Sequence, residues 1–209
     1  MTSVLKKVFR DVSAGISDFA NRYKLPAEFH NSNELKIMHI SDTPESIYSH
    51  IYKMLSYSRP DVIIHTGDLV DNLKLENLGE NALSNYQSSS AEFIKNLEKL
   101  TAARIIYVPG NHDNLRILKE NVNRSEVYKE GSIIELDGVK IGVAHYPDNL
   151  PKNADIKLFG HNKSFSKDKI YYNGILNINF ILLPSKSDYK VSYPWTVDQG
   201  RRYKSFNMI

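Results

Sequence analysis

Four apolar segments of this chain are each followed by polar side chains, and three of them by glycine as well. The segments are rich in Ile, Val and Leu, have the length of β-strands, and comprise Leu35–Ser41, Asp61–Thr66, Ile105–Val108 and Ile156–Phe159. The polar runs after the last three are Gly67–Asn72, Gly110–Asn114 and Gly160–Lys163. Ligands of α/β sheets bind at the carboxyl ends of the strands. The pattern therefore predicts an α/β sheet with a polar site at that edge.

The side chains in these runs are those that bind transition metals. Carboxylate, amide and imidazole ligands together suit Mn²⁺, Fe or Zn²⁺, and the imidazoles argue against a pure Mg²⁺ or Ca²⁺ site. A glycine beside each ligand permits sharp turns that a Cβ would obstruct. The chain has no cysteine, which excludes thiolate ligands, disulfides and thiol catalysis. A metal ion so held can activate water and neutralise the charge of a phosphate ester.

Five short blocks occur in order over most of the chain. They are Asp42-Thr43-Pro44, Gly67–Asp71, Gly110–Asp113, His145 and Gly160–Lys163. In this respect the chain resembles the calcineurin-like metallophosphoesterases, which carry Asp-x-His, Gly-Asp-x-x-Asp, Gly-Asn-His-Asp/Glu, a lone His and Gly-His-x-His. Each block alone is weak evidence, but the ordered combination is specific. The resemblance implies an α/β fold, the four-layer α/β/β/α sandwich with two mixed β-sheets.

The resemblance implies that one metal position keeps its full ligand set and that the other does not. The complete set is Asp68, Asn111, His145 and His161. At the second position Pro44 and Lys163 replace two histidines, which leaves Asp42 and the bridging Asp68. We therefore expect one divalent transition-metal ion per chain (Mn, Fe or Zn) and an impaired second site. An ammonium of Lys163 near the two carboxylates would offset part of their charge.

The resemblance also implies roles for three residues that do not hold the ion. His112 would face the substrate and protonate the leaving oxygen or stabilise its charge. Asp113 would orient the His112 ring, although Asp113-Asn114 could instead cap the following helix. Lys163 could bind a phosphate oxygen or simply be solvated. Alternation along the first strand puts His39 on the face opposite Asp42, so His39 is not expected at the site.

The main hypothesis is metal-dependent hydrolysis of a phosphomonoester or phosphodiester, with slow turnover because one ion is lost. The alternative is a degenerate member of the fold that acts as a binding or regulatory module. The expected substrate is a phosphorylated small molecule or a nucleotide. The net charge of +3 does not demand nucleic acid, but the aromatic and basic C-terminal stretch leaves that partner open. No apolar run reaches membrane-spanning length, and we expect a cytoplasmic protein.

With 209 residues, of which 41% are hydrophobic, the chain can bury one core, so we expect a single domain over residues 1–209. Apolar residues at helical spacing predict an amphipathic helix over about residues 1–25, packed on or appended to that core. Further helices are predicted at Pro44–Ser58 and at Asn81–Leu100, the second with a polar stretch that could interrupt or shorten it. Asp137-Gly138 and Asn173-Gly174 each predict a β-hairpin.

Overall fold

The computed structural model describes residues 25–73, 80–163 and 168–201, without the side chains of residues 80–82. The chain divides into two compact units, residues 1–32 and 33–209. In the first unit, helix α1 (Ala27–Asn31) begins directly after Pro26. The amphipathic helix predicted over about residues 1–25 lies outside the described residues except for Leu25. That helix and the single domain stay predictions.

The second unit alternates strands and helices up to its middle and then consists mainly of strands. The strands are β1 (Leu35–Ile40), β2 (Val62–His65), β3 (Arg104–Tyr107), β4 (Glu126–Val127), β5 (Ser132–Leu136), β6 (Val139–Val143), β7 (Ile156–Phe159), β8 (Tyr171–Asn173), β9 (Asn177–Leu183) and β10 (Asp188–Ser192). The helices are α2 (Tyr48–Ser58), α3 (Glu80–Leu100), α4 (Leu115–Asn121) and α5 (Val197–Gly200). Short 3₁₀ turns occupy Glu45–Ile47 and Pro147–Asn149. None of the helices in these described ranges is long and apolar enough to cross a bilayer.

Two mixed sheets form the body of the second unit. The larger sheet has the order β10-β9-β1-β2-β3-β4, in which β1 to β4 run parallel and β9 is antiparallel to both β1 and β10. The smaller sheet has the order β5-β6-β7-β8, in which β5 and β6 are antiparallel and β6, β7 and β8 are parallel. The predicted α/β fold with two mixed sheets is confirmed.

The main hydrophobic core lies between the two sheets. The larger sheet contributes Ile37, Val62, Ile64, Ile106, Val108, Ile181 and Leu183. The smaller sheet contributes Ile134, Leu136, Val139, Ile141, Val143, Ile156, Leu158 and Tyr172. Helix α3 lies on the larger sheet, where Phe93 contacts the ring of His65 on β2. The crossover from β6 to β7 contains a 3₁₀ turn instead of an α-helix.

Two predicted helices and one predicted hairpin are confirmed, and the other hairpin is wrong. The helices predicted at Pro44–Ser58 and Asn81–Leu100 form, and α3 runs without a break through its polar stretch. The hairpin at Asp137-Gly138 is confirmed by the antiparallel pair β5 and β6. The hairpin at Asn173-Gly174 is wrong, because β8 pairs with β7 in one sheet whereas β9 pairs with β1 in the other. The chain passes from one sheet to the other at Gly174. Its amide donates to Phe159 O of β7 in the smaller sheet (2.7 Å), and its carbonyl accepts from the hydroxyl of Tyr193, which follows β10 of the larger sheet (2.8 Å).

Candidate metal centre

The five residues expected to hold metal all follow strands that end at the same edge of the sandwich. Asp42, Asp68 and Asn111 come after β1, β2 and β3 of the larger sheet. His145 and His161 come after β6 and β7 of the smaller sheet. Because these strands run parallel within each sheet, their carboxyl ends carry the five residues to one place.

Three of these residues adopt a backbone conformation that side chains disfavour. Asp42, Asp68 and His161 have positive φ angles of 52°, 58° and 68°. The turns are held by hydrogen bonds between neighbouring loops, such as Asp42 N to Gly67 O at 2.9 Å and Thr43 N to Asp68 O at 3.0 Å. Left-handed conformations of residues other than glycine are uncommon and collect at functional sites. The loops are therefore shaped to present these side chains.

Three residues bring ligand-type atoms close to Nε2 of His145. His145 Nε2 lies 3.0 Å from Asn111 Oδ1, 3.3 Å from His161 Nδ1 and 3.5 Å from Asp68 Oδ2. Asn111 Oδ1 also lies 3.1 Å from His161 Nδ1. These four residues are the complete ligand set that the sequence predicts. The side chains come from four separate loops.

The orientation of His145 suits a cation at this cluster. Its Nδ1 lies 2.8 Å from Thr66 O, and only a protonated Nδ1 can donate to a carbonyl oxygen. In the neutral ring Nε2 then carries a lone pair, which faces the amide oxygen of Asn111 and the carboxylate of Asp68. A proton on Nε2 could be shared with only one neighbouring atom, whereas a metal ion could bind ligand atoms of all four residues.

The spacing of the cluster fits a transition-metal ion. Ligand bonds of about 2.0–2.2 Å place neighbouring ligand atoms about 3.0–3.5 Å apart in octahedral or tetrahedral arrangements. The observed separations of 3.0 to 3.5 Å lie in this range. Two imidazoles, one carboxylate and one amide suit Mn, Fe or Zn. Asp68, Asn111, His145 and His161 would hold such an ion.

The electrostatics of Asp68 also favour a cation. Its side chain is buried, and burial together with the nearby carboxylates of Asp42, Asp113 and Asp71 raises the pKa of Asp68 well above its usual value. A divalent ion bound beside Asp68 would offset this cost. The main-chain amide of His112 supplies part of the compensation by donating to Asp68 Oδ1 at 2.9 Å.

Asp42 lies beside this cluster. Ligand atoms of Asp42, Asp68 and His145 are all within 4.8 Å of one another, and all three side chains are buried. Asp42 Oδ2 accepts hydrogen bonds from the Ser41 hydroxyl (2.6 Å) and from His161 N (3.1 Å). The loop after β3 needs glycine at position 110, because a Cβ on Gly110 would lie 2.7 Å from Asp68 N.

Asp113 holds the Asp68 loop by hydrogen bonds. Its Oδ2 accepts from Asp68 N (2.7 Å) and Gly110 N (2.8 Å). Its Oδ1 accepts from Leu69 N and the Tyr86 hydroxyl, both at 2.9 Å. The expectation that Asp113 orients the His112 ring stays a prediction. Asn114 caps the following helix, because its Oδ1 accepts from Ile117 N.

Lys163 forms an ion pair with helix α5. Its ammonium lies 2.6 Å from Asp198 Oδ2, and both side chains are about half exposed. The expected charge offset at Asp42 and Asp68 and the contact of Lys163 with phosphate both stay predictions.

Sequence analysis did not single out three residues that shape the site. Thr66 fixes the His145 ring through its carbonyl, and no side-chain signal reveals such a contact. Tyr146 packs on His161, with ring centroids 4.0 Å apart. Arg201 is 1% exposed and donates from Nε to Asp42 O at 2.8 Å. In the sequence Arg201 was only one member of the basic C-terminal stretch.

The His39 ring contacts two residues outside the four-ligand set. Its Nε2 contacts the Thr66 hydroxyl at 3.0 Å and its Nδ1 contacts Asn179 Nδ2 at 3.2 Å. Complete burial lowers the pKa of His39 to about 3, so its ring is neutral at ordinary pH.

Comparison with known proteins agrees with the fold. The family model of the calcineurin-like phosphoesterases matches residues 35–204. The chain belongs to this family. A solved structure of Yfce, a phosphoesterase from E. coli, is 16% identical, covers 76% of this chain and 100% of that chain, and has a TM-score of 0.48. A structure from Thermus thermophilus is 11% identical over 77% of this chain and 99% of that chain, with a TM-score of 0.49.

A third solved structure is 11% identical over 77% of this chain and 100% of that chain, with a TM-score of 0.50, and shows likeness of fold alone. A search of curated proteins finds no match. Membership of the family identifies the fold as that of metal-dependent phosphoester hydrolases and implies a divalent metal cofactor. The cytoplasmic location stays a prediction.

Proposed function

We propose that the protein hydrolyses a phosphomonoester or phosphodiester with water activated by one divalent metal ion. The observation that carries the proposal is the convergence of Asp68, Asn111, His145 and His161, in which His145 Nε2 lies 3.0 to 3.5 Å from ligand atoms of the other three residues. A bound ion supplies hydroxide near neutral pH and neutralises charge on the phosphoryl group. Mn, Fe or Zn fits these ligands, and the substrate is a phosphorylated small molecule or a nucleotide.

Neighbouring residues hold the side chains of the metal ligands in place. Thr66 O holds the His145 ring so that Nε2 faces the cluster. Tyr146 packs against His161 and restricts its rotation. Asp113 fixes the turn of Asp68 through two hydrogen bonds, which Asp68 N and Leu69 N donate to its carboxylate. Ligands that are already oriented lose little freedom when the ion binds, which favours binding.

His112 is the residue that we assign to the leaving group. Its main-chain amide is tied to Asp68 Oδ1, so its side chain is anchored directly beside a metal ligand. An imidazole has an unperturbed pKa near neutrality, which suits proton donation to the leaving oxygen. The proton is needed most by poor leaving groups, because a nitrophenolate departs readily without one.

This dependence on the leaving group gives the test. Hydrolysis would be measured for the wild type and His112→Ala, with Mn²⁺ or Zn²⁺, on nitrophenyl esters and on phenyl esters of phosphate. Activity should require the metal and be slow. His112→Ala should lower kcat/KM about 100-fold or more on phenyl esters and much less on nitrophenyl esters, while metal content stays unchanged.

A variant of a metal ligand serves as the control for this test. Asn111→Ala should lose metal and activity together, because it removes a ligand. If the wild type binds metal but hydrolyses none of these esters, the hydrolase proposal fails. The protein would then be the binding or regulatory module that the absence of two ligand histidines also allows.

A further inference from the structure

The last described segment of the chain contains a buried arginine beside the metal centre. We name Tyr193–Arg201 the closing segment. It begins at Tyr193, whose hydroxyl donates to Gly174 O, continues through α5 and ends at Arg201. The Arg201 side chain is 1% exposed. Burial of an arginine is costly unless hydrogen bonds and opposite charges compensate it.

The Arg201 guanidinium is fixed by the loop that carries Asp42. Its nitrogens donate to three carbonyls: Nε to Asp42 O (2.8 Å), Nη1 to Ile175 O (2.7 Å) and Nη2 to Ser41 O (3.3 Å). Its face lies 4.7 Å from the centre of the Tyr193 ring. Arg201 therefore fixes the main chain of Asp42 and places a permanent positive charge against it.

The closing segment also contacts the two positions at which this chain lacks the histidines of the resemblance pattern. Gly200 lies against Pro44, because a Cβ on Gly200 would be 2.8 Å from Pro44 Cγ and 2.9 Å from Pro44 Cβ. Asp198 pairs with Lys163 at 2.6 Å. One short segment thus contacts Pro44, Lys163 and the main chain of Asp42.

The Asp198 carboxylate also lies near Arg201, so it forms ion pairs with two cations. Its Oδ1 is 3.6 Å from Arg201 Nη1, and its Oδ2 is the atom that pairs with Lys163. One carboxylate cannot neutralise two positive charges. The remaining positive charge lies at the main chain of Asp42, whose side chain is buried. A charge at this place repels any further cation that approaches from this side.

We propose that Arg201 is a built-in cation that replaces a second metal ion at the Asp42 side of the cluster. It is a positioning residue: it fixes the Asp42 main chain, and its charge limits the site to one divalent ion. Asp198 sets how much of that charge the site experiences. The proposal rests on the proposed function only in requiring that the four-ligand cluster binds one ion.

Two variants distinguish a role of charge from a role of structural support. Charge shifts Mn²⁺ affinity in opposite directions in Arg201→Gln and Asp198→Asn, whereas loss of support weakens binding in both. Mn²⁺ binding to the full chain would be measured by calorimetry and by metal analysis, without substrate. The wild type should bind one ion. Arg201→Gln removes the fixed charge, so it should bind the first ion about threefold to tenfold more tightly and add a weaker second ion. Asp198→Asn exposes both cations, so it should bind the first ion about threefold to tenfold more weakly.

Matched variants control for the change of charge and for the loss of the side chain. Arg116→Gln and Asp188→Asn make the same changes at exposed ion pairs elsewhere and should behave as the wild type. Arg201→Lys keeps the charge and should still bind one ion. A second ion in Arg201→Gln should disappear in Arg201→Gln combined with Asp42→Asn.

The outcomes separate the two proposals. If both variants weaken Mn²⁺ binding, Arg201 is only a structural support and the inference is overturned. If Arg201→Gln fails to fold, Asp198→Asn decides, since its position is half exposed, and unchanged affinity there overturns the inference. A wild type that binds no Mn²⁺ would overturn the proposed function and this inference with it. One ion with unshifted variants overturns the inference alone.

Discussion

At the scale of single residues, Asp113 shows how a carboxylate beside a metal site can act on the main chain. Three backbone amides and the Tyr86 hydroxyl donate to it. Asp113→Asn replaces an acceptor oxygen by an amide donor that must face two of these donors. We expect a loss of about 2–3 kcal/mol in the free energy of unfolding, together with weaker metal binding. Urea denaturation and Mn²⁺ titration measure the two effects.

Tyr86→Phe is the graded control, because it removes only one of the four donors and should cost about 1 kcal/mol. If Asp113 acts only by orienting His112, Asp113→Asn would leave stability and metal binding intact and lower only kcat. That result would support the role expected from the resemblance.

A second prediction at this scale concerns the neutral buried ring of His39. Its pKa is lowered to about 3 by burial, from 6.5 in the unfolded chain. Between these values the unfolded chain binds a proton and the folded chain does not, so stability falls as the pH decreases. This one residue should contribute a slope approaching about 1.4 kcal/mol per pH unit. His39→Gln should lack it.

The measurement is urea denaturation of the wild type and His39→Gln from about pH 6 to about pH 4.5, inside the window between the two pKa values, in EDTA so that metal binding does not contribute. The comparison uses the slopes, because the variant also changes contacts with Thr66 and Asn179 at every pH. Equal slopes for the two proteins would show that the His39 ring takes up a proton within the fold.

The sequence predicted which residues meet at the site better than it predicted what their neighbours do. Asp68, Asn111, His145 and His161 each follow a strand, and strand ends are recognisable from local sequence. The partners of Asp113, Lys163 and Arg201 depend on side-chain reach between distant segments. Asp113 and Asp68 are 45 residues apart, and Arg201 and Asp42 are 159 apart. No local pattern encodes such contacts.

At the scale of elements, the same limit separates the two predicted hairpins. The turn at Asp137-Gly138 joins strands that pair with each other, so local turn chemistry was sufficient. At Asn173-Gly174 the turn signal is equally strong, but β8 pairs with β7 and β9 with β1. Strand pairing depends on burial of both faces across the whole sheet. The turn residues therefore could not show that the chain changes sheets there.

Asn173 should be important because it ends β8 beside the loop of His161. Its Nδ2 donates to Asn162 O at 2.8 Å, and its Oδ1 accepts from Ile175 N at 2.9 Å. Asn173→Ala removes the partner of both groups, so it should cost about 1–3 kcal/mol in unfolding free energy and weaken Mn²⁺ binding. Denaturation and metal titration test both. Asn177→Ala, at the start of β9, is the control. Equal behaviour of the two variants would contradict this role.

At the scale of the whole molecule, the buried carboxylate of a metal ligand should lower the free energy of unfolding of the metal-free chain. Burial and three neighbouring carboxylates raise the pKa of Asp68, so its ionised form destabilises the fold at neutral pH. An ion bound only by the folded chain reverses this and adds about 2.7 kcal/mol at a concentration about 100 times its Kd. Stability and metal binding are thus coupled through this buried carboxylate.

Asp68→Asn separates the two effects. Asparagine can keep the acceptor for His112 N through Oδ1, and its Nδ2 can donate to the His145 Nε2 lone pair, where Asp68 Oδ2 now lies 3.5 Å away. Without metal, Asp68→Asn should therefore unfold at a higher temperature than the wild type. With saturating Mn²⁺ the order should reverse, because only the wild type gains from the ion. Thermal unfolding with EDTA and with Mn²⁺ measures both states, and Asp188→Asn, at an exposed ion pair, should follow the wild type in each. A lower melting temperature for Asp68→Asn in EDTA would mean that the carboxylate supports the fold by itself, and the site would then be a structural feature instead of a place kept for a cation.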